Sequence, residues 1–143
     1  MKIVIASDHG GLRLKNEIAL ELARAGHAVD DLGTKTDAST DYPDFAHAVA
    51  KLVGGGSVAR GILVCGTGIG MSIAANRHPG VRAVVCSDTY TARLSRDHND
   101  SNILCIGERV VGPGLAWEIV STWLAEPAST NERHVRRRTK IEL

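Results

Sequence analysis

Aromatic residues are scarce in this chain, at 3%: two Trp, two Tyr and one Phe. That scarcity weakens any recognition of nucleic acid by bases stacked on rings. An excess of one charge is missing too, since 17 Lys and Arg against 16 Asp and Glu leave a formal net charge of +1. No global field draws the protein to a polyanion or an anionic membrane surface. No apolar run approaches the roughly 18 residues that a membrane helix needs. The apolar part of the opening MKIVIASDHGG is too short for a secretion signal, and no small-residue cleavage site follows it. A cytoplasmic protein is expected. Cysteine is rare: Cys65, Cys86 and Cys105 contain no CxxC pair, and their odd number argues further against a disulfide framework.

The chain does have an ordinary core-forming composition, with 43% hydrophobic and 23% charged residues over 143 positions. This suits one domain spanning 1–143. Short β-rich runs alternate with helical patterns along it. Lys2–Ala6, His27–Leu32, Gly61–Val64, Val81–Cys86 and Ile103–Ile106 read as strands. Leu14, Ile18, Leu22 and Ala25 fall on one helical face, with Arg13, Lys15, Glu17, Glu21 and Arg24 on the wet side and Gly26 as a stop. Further helices are expected from Phe45 to Val53, Met71 to Asn76, Thr89 to Arg96 and Leu115 to Leu124. Five strands each followed by a helix predict an α/β three-layer sandwich on a five-stranded parallel sheet. In such sheets the ligand crevice lies beyond the carboxyl ends of the strands. The unusual residues there are Ser7-Asp8-His9, Cys65 with its glycines, Ser87-Asp88 and Gly107-Glu108-Arg109. His98 and Asn99 follow the fourth helix and are not placed by this rule. Composition alone reads the basic segment Ser129–Leu143 as a solvated, frayed tail, and the functional alternative is an anion clamp.

Cys65-Gly66-Thr67-Gly68-Ile69-Gly70 joins a buried strand to a helix. Three glycines permit a sharp turn and close approach to a ligand, while the helix offers free N–H groups and the positive end of its dipole. A phosphate-binding P-loop is disfavoured, because the Gly-Lys-Ser/Thr ending is absent. A dinucleotide fingerprint is half matched by Gly66-Thr67-Gly68 with Asp88 downstream, but Met71 occupies its third glycine and the loop follows the third strand instead of the first. The remaining reading is a hole of backbone amides aimed at charge developing on a substrate oxygen. A thiol near a helix N-terminus is favoured as thiolate. Beside amide donors it could serve as the base that abstracts a proton next to a carbonyl, or as a nucleophile. Thr67 is placed to hydrogen-bond its sulfur. Cys86 and Cys105 read as small buried hydrophobes.

These segments resemble type B ribose-5-phosphate isomerases, a family that includes allose-6-phosphate and galactose-6-phosphate isomerases. The resemblance rests on Ser7–Gly11, Asp41-Tyr42-Pro43, Cys65–Ala75 (CGTGIGMSIAA), Gly80–Cys86 (GVRAVVC), His98-Asn99-Asp100, Gly107–Gly112, and Arg133-His134 with Arg137. It implies a Rossmann-like sandwich and at least a homodimer whose active sites are shared between subunits. It assigns Cys65 as the base and His98 as the residue that opens the furanose ring. Ala74 and Ala75 stand where another branch of the family carries a glutamate base. Asp8, His9, Asn99 and the amides of Gly66, Gly68, Ile69 and Gly70 match positions that hold the sugar and the enediolate. Arg109, Arg133 and Arg137 match phosphate-binding arginines, which suits the bidentate guanidinium fork. Arg136 and Arg138 have no counterpart and read as solvated. Asp8 and His9 alone would leave metal ligation open, but no compact set of further ligands accompanies them, so no metal or cofactor is expected.

The expected reaction is ribose 5-phosphate to ribulose 5-phosphate through a cis-enediolate. Three alternatives stand beside it: another sugar phosphate (a tetrulose phosphate, allose 6-phosphate or galactose 6-phosphate), a non-catalytic phosphosugar-binding subunit, and a dinucleotide-dependent enzyme.

Overall fold

A computed structural model describes residues 1–142. Five parallel strands, β1 (Lys2–Ser7), β2 (Ala28–Asp31), β3 (Arg60–Cys65), β4 (Ala83–Val85) and β5 (Ile103–Gly107), pair in the order β2-β1-β3-β5-β4. Helices α1 (Leu12–Arg24), α2 (Tyr42–Gly54), α3 (Ile69–Ala75), α4 (Thr89–Asn99) and α5 (Pro113–Ala125) each follow one strand. This is the α/β sandwich that the alternating pattern predicts.

Strand alternation assigns the layers. Ile3 and Ile5, Ile62 and Val64, Leu104 and Ile106 point to one face, where Leu14, Ile18 and Leu22 of α1 meet Ala92 of α4 and Ile119, Val120 and Trp123 of α5. Val4 and Ala6, Leu63 and Cys65, Ile103 and Cys105 point to the other, against Val49 and Val53 of α2 and Met71 and Ala75 of α3. Each large aliphatic side chain buried here contributes about 1.5–3 kcal/mol. The central strands β1, β3 and β5 are apolar on both faces, as a doubly covered sheet requires.

Three expectations change. Lys15 does not lie on the wet face of α1. It is fully buried, and its ammonium donates to Asp31 at 2.6 Å. Burial works to raise the Asp31 carboxyl, but hydrogen bonds from Lys15, the Gly33 N–H and Lys35 outweigh it and hold Asp31 below its usual range. The second change is at α4, which runs three residues further than the apolar stripe suggests and carries His98 and Asn99 in its last turn. The helix stops at Asp100, whose positive φ of 49° is a left-handed cap. Third, the basic tail is a helix: α6 (Glu132–Ile141), begun by Asn131, whose side chain accepts from the Arg133 N–H. Arg138 is half-buried, with both terminal nitrogens donating to the Ser129 carbonyl, while Arg136 is exposed.

Candidate active site

Order β2-β1-β3 means that the chain leaves β1 towards one edge and β3 towards the other. Such a reversal opens a crevice at the carboxyl ends of these two strands. Ser7-Asp8-His9 and the Cys65 loop stand on either side of it. Cys65 is the last residue of β3 and pairs with Gly107, the last of β5.

Glycines are needed here because backbones touch. A Cβ on Gly11 would lie 2.6 Å from the Val64 carbonyl carbon, and one on Gly107 would lie 2.7 Å from the Thr67 Cα. Gly68 takes a φ of +81° and packs on the Cys105–Ile106 backbone. This tight turn aims the Gly68 N–H at the Cys65 sulfur, 3.1 Å away. Thr67 does not hold that sulfur: its exposed hydroxyl accepts from the Ile69 N–H at 3.3 Å, within the first turn of α3. The three cysteines differ accordingly. Burial pushes the Cys86 thiol up and the Cys105 thiol up much further. Those two are the small buried hydrophobes expected, whereas the Cys65 sulfur receives an amide donor at a strand end.

Asp8 is nearly buried and accepts from the Gly10 N–H at 2.9 Å, capping a short 3₁₀ turn, His9–Gly11. The His9 Nδ1 accepts from the Thr40 N–H at 3.1 Å, so the loop before α2 fixes that ring. The ladder continues past the strands, with the Glu108 N–H donating to the Cys65 carbonyl and the Arg109 N–H to the Gly66 carbonyl. These bonds carry the exposed Arg109 guanidinium over Gly66, where a Cβ would meet its Nη1 at 3.1 Å, and beside Gly10. The Tyr42 ring packs against Gly70, where a Cβ would meet its Cζ at 2.7 Å. Asp8, His9, Cys65–Gly70 and Arg109 therefore form one cluster.

The other half of the expected site is elsewhere. His98 and Asn99 end α4, four residues before β5 begins at Ile103, whereas Cys65 aligns with the end of that strand. The strand between Ile103 and Gly107 alone spans ~13 Å. His134 of α6 stacks on His98 with centroids 4.2 Å apart and planes inclined by 8°. The Ser129 N–H donates to the Asp97 carbonyl at 2.9 Å, joining the start of the tail to α4. Arg133 and Arg137, both exposed on α6, thus share the amino end of the sheet with His98 and Asn99, away from Arg109.

Arg82 holds this second cluster. Its Nε donates to the carbonyls of Asn99 and Asp100, and its terminal nitrogens pair with Asp100 and Glu142. Arg96, buried, also pairs with Asp100 and donates to the Ser101 carbonyl. Sequence reasoning gave Arg82 and His134 no role. Arg82 lies at the start of an apolar run, and a lone His among arginines carries no local signal.

Asp88, the candidate ribose ligand of a dinucleotide site, is instead the N-cap of α4. The N–H and hydroxyl of Thr91 bind its carboxylate and hold it below its usual range. Among the described residues no helix is long and apolar enough to cross a membrane.

Comparison with known proteins agrees with this architecture. Residues 3–141 match the family model described as Ribose/Galactose Isomerase. A solved structure of Clostridium thermocellum ribose-5-phosphate isomerase B superposes with a TM-score of 0.96 at 55% identity, covering 99% of this chain and 95% of that one. Escherichia coli ribose-5-phosphate isomerase B is 54% identical over 86% of this chain and 83% of its own. The D-erythrulose-4-phosphate isomerase of Pectobacterium atrosepticum is 42% identical over 87% of this chain and 82% of its own. On this evidence the chain belongs to the ribose/galactose isomerase family.

Proposed function

We propose that the protein interconverts ribose 5-phosphate and ribulose 5-phosphate, with each active site built from the Cys65 cluster of one subunit and the His98 cluster of another. The observation that carries this reading is the separation just described: one chain holds both groups, but at opposite ends of its sheet. In a two-fold dimer, each carboxyl-end cluster can face the partner's amino-end cluster, which yields two complete sites.

In the reaction, Arg109 of one chain with Arg133 and Arg137 of the other grips the phosphate. His98 serves the ring opening: O4 gains a proton, O1 loses one and the C1–O4 bond breaks. The Cys65 thiolate then takes the proton from C2, leaving an enediolate whose oxygen is held by the amides of Gly66–Gly70. The hydroxyl proton passes from O2 to O1, and the thiol returns its proton to C1. The Gly68 N–H donates to this sulfur and holds it at the mouth of the loop. Asp8, His9 and Asn99 address the sugar hydroxyls.

Mixing two inactive variants tests the shared site. Cys65→Ala and His98→Asn homodimers should each be inactive. Subunit exchange should then restore about a quarter of wild-type activity, because half the dimers become mixed and each of these regains one intact site. No recovery after demonstrated exchange would show that each chain works alone. The likeness to a D-erythrulose-4-phosphate isomerase supports a second reading, the same chemistry on a tetrulose phosphate. Side-by-side kcat/KM values on the two ketose phosphates decide between them.

A further inference from the structure

His134 is the one buried residue of α6, a helix that is otherwise exposed or half-exposed. An imidazole is a costly choice for such an anchor, since an apolar side chain would bury without hydrogen bonds to satisfy. Its two special contacts both bear on the proposed site. One is the parallel stack on His98. The other is a hydrogen bond at 3.3 Å from the Arg133 Nε to the His134 Nε2. A ring nitrogen that accepts from a guanidinium bears no proton, so His134 is neutral with its hydrogen on Nδ1. The charges around it favour the same state. Burial pushes its imidazole down, His98, Arg133 and Arg137 add to this, and Asp97 alone opposes.

Without the stack, His98 would be loosely held. It remains 39% exposed, and the Asp97 carboxylate lies 3.4 Å from its Nε2 on the same solvent-facing turn. We propose that His134 is a positioning residue, a neutral ring stacked on His98 that fixes its plane for ring opening and is itself oriented by the Nε of Arg133. Arg133 then has two tasks, since using Nε on His134 leaves its terminal nitrogens for the phosphate. Seating the phosphate and aligning the ring-opening imidazole thereby become one event.

The inference rests on the isomerase reading, and chemistry separates the two. Ribose 5-phosphate is mostly a closed ring in water. Ribulose 5-phosphate cannot close, because its 5-hydroxyl carries the phosphate. Exchange of solvent deuterium into C1 of ribulose 5-phosphate therefore needs Cys65 and the amides but no ring opening. His134→Ala should lower kcat for ribose 5-phosphate ~10-fold, the scale of a misplaced acid–base group, and leave the exchange rate within about twofold of wild type. His134→Phe, which keeps a flat ring to stack, should recover most of the lost kcat. Equal loss in both reactions would reduce His134 to a structural role and overturn the proposal. Unchanged kcat in His134→Ala, or a His134→Phe variant as slow as His134→Ala, would overturn it too. A wild-type protein that processes neither compound would instead defeat the isomerase reading itself.

Discussion

The two ends of the sheet are built on different principles. At the carboxyl end, a sulfur and a run of backbone amides, joined by the side chains of Asp8, His9 and Arg109, sit on backbone held by close contact: Gly11 on Val64, Gly68 on Ile106 and Gly107 on Thr67. At the amino end the working groups are helix side chains, His98 and Asn99 in the last turn of α4 with Arg133 and Arg137 of α6, held by the ion network of Arg82, Arg96, Asp100 and Glu142. The first arrangement is rigid because packed backbone has no slack. The second is adjustable at its rim, since the exposed side chains of Arg133 and Arg137 exchange partners with water. The proposed chemistry matches this division. Proton transfer between adjacent carbons demands fixed geometry, whereas the end that carries Arg133 and Arg137 must admit and release a substrate.

Four perturbations break or sharpen that contrast. The largest effect is expected from Cys65→Ala, which should lower kcat by ~10³-fold or more, as loss of a general base does, with KM and thermal stability little changed. Activity within about tenfold of wild type would remove the thiol from the mechanism. Gly107→Ala comes next. Its Cβ would sit 2.7 Å from the Thr67 backbone, so the loop must shift, at a cost of about 1–3 kcal/mol and ~100-fold in kcat. A crystal structure of the variant with an unmoved loop and normal kinetics would contradict the rigid-end description.

Arg82→Ala should act at the other end. It is expected to cost about 1–2 kcal/mol, to loosen α6 in hydrogen exchange and to raise KM more than it lowers kcat. Protection lost equally from the Cys65 loop would show that the two ends are not independent. The smallest effect is one of pH. Burial holds the docked His134 below its ordinary value of 6.5. The unfolded chain therefore binds a proton more readily than the folded one. The stability due to the neutral ring is complete above about 6.5 and lost as pH falls through the depressed folded value. The unfolding temperature should drop between about pH 7.5 and 5.5, and by less in His134→Phe. Equal drops in both proteins would trace the acid sensitivity to other groups.

The difference between the ends also decided what could be read in the sequence. CGTGIGM advertises its role through residue types that strands and helices avoid, placed where an apolar run stops. The sheet, its five helices and the Cys65 loop were legible for that reason. The amino end was named only through the family resemblance and by no local pattern. Its residues are common surface types, and only tertiary contacts give them work: α6 docks through His134 on His98, Ser129 on Asp97 and Arg82 on Glu142, all distant in sequence. Lys15 failed for a related reason. Period places a charge on a helix face, but the Asp31 carboxylate, out of reach of any local pattern, makes that face an interior one. Thr67 was expected to donate to the sulfur, but its hydroxyl accepts from the Ile69 N–H, and the sharp turn at Gly68 presents a backbone amide to the sulfur instead.

If the sites are shared as proposed, the placement of His98 at one end of β5 and Cys65 at the other sets a rule for dilution. A lone copy owns every reactive group and still cannot turn over a molecule, because its own two halves never meet. Specific activity, which is constant for a self-sufficient enzyme, would then fall as the protein is thinned past the point where pairs come apart.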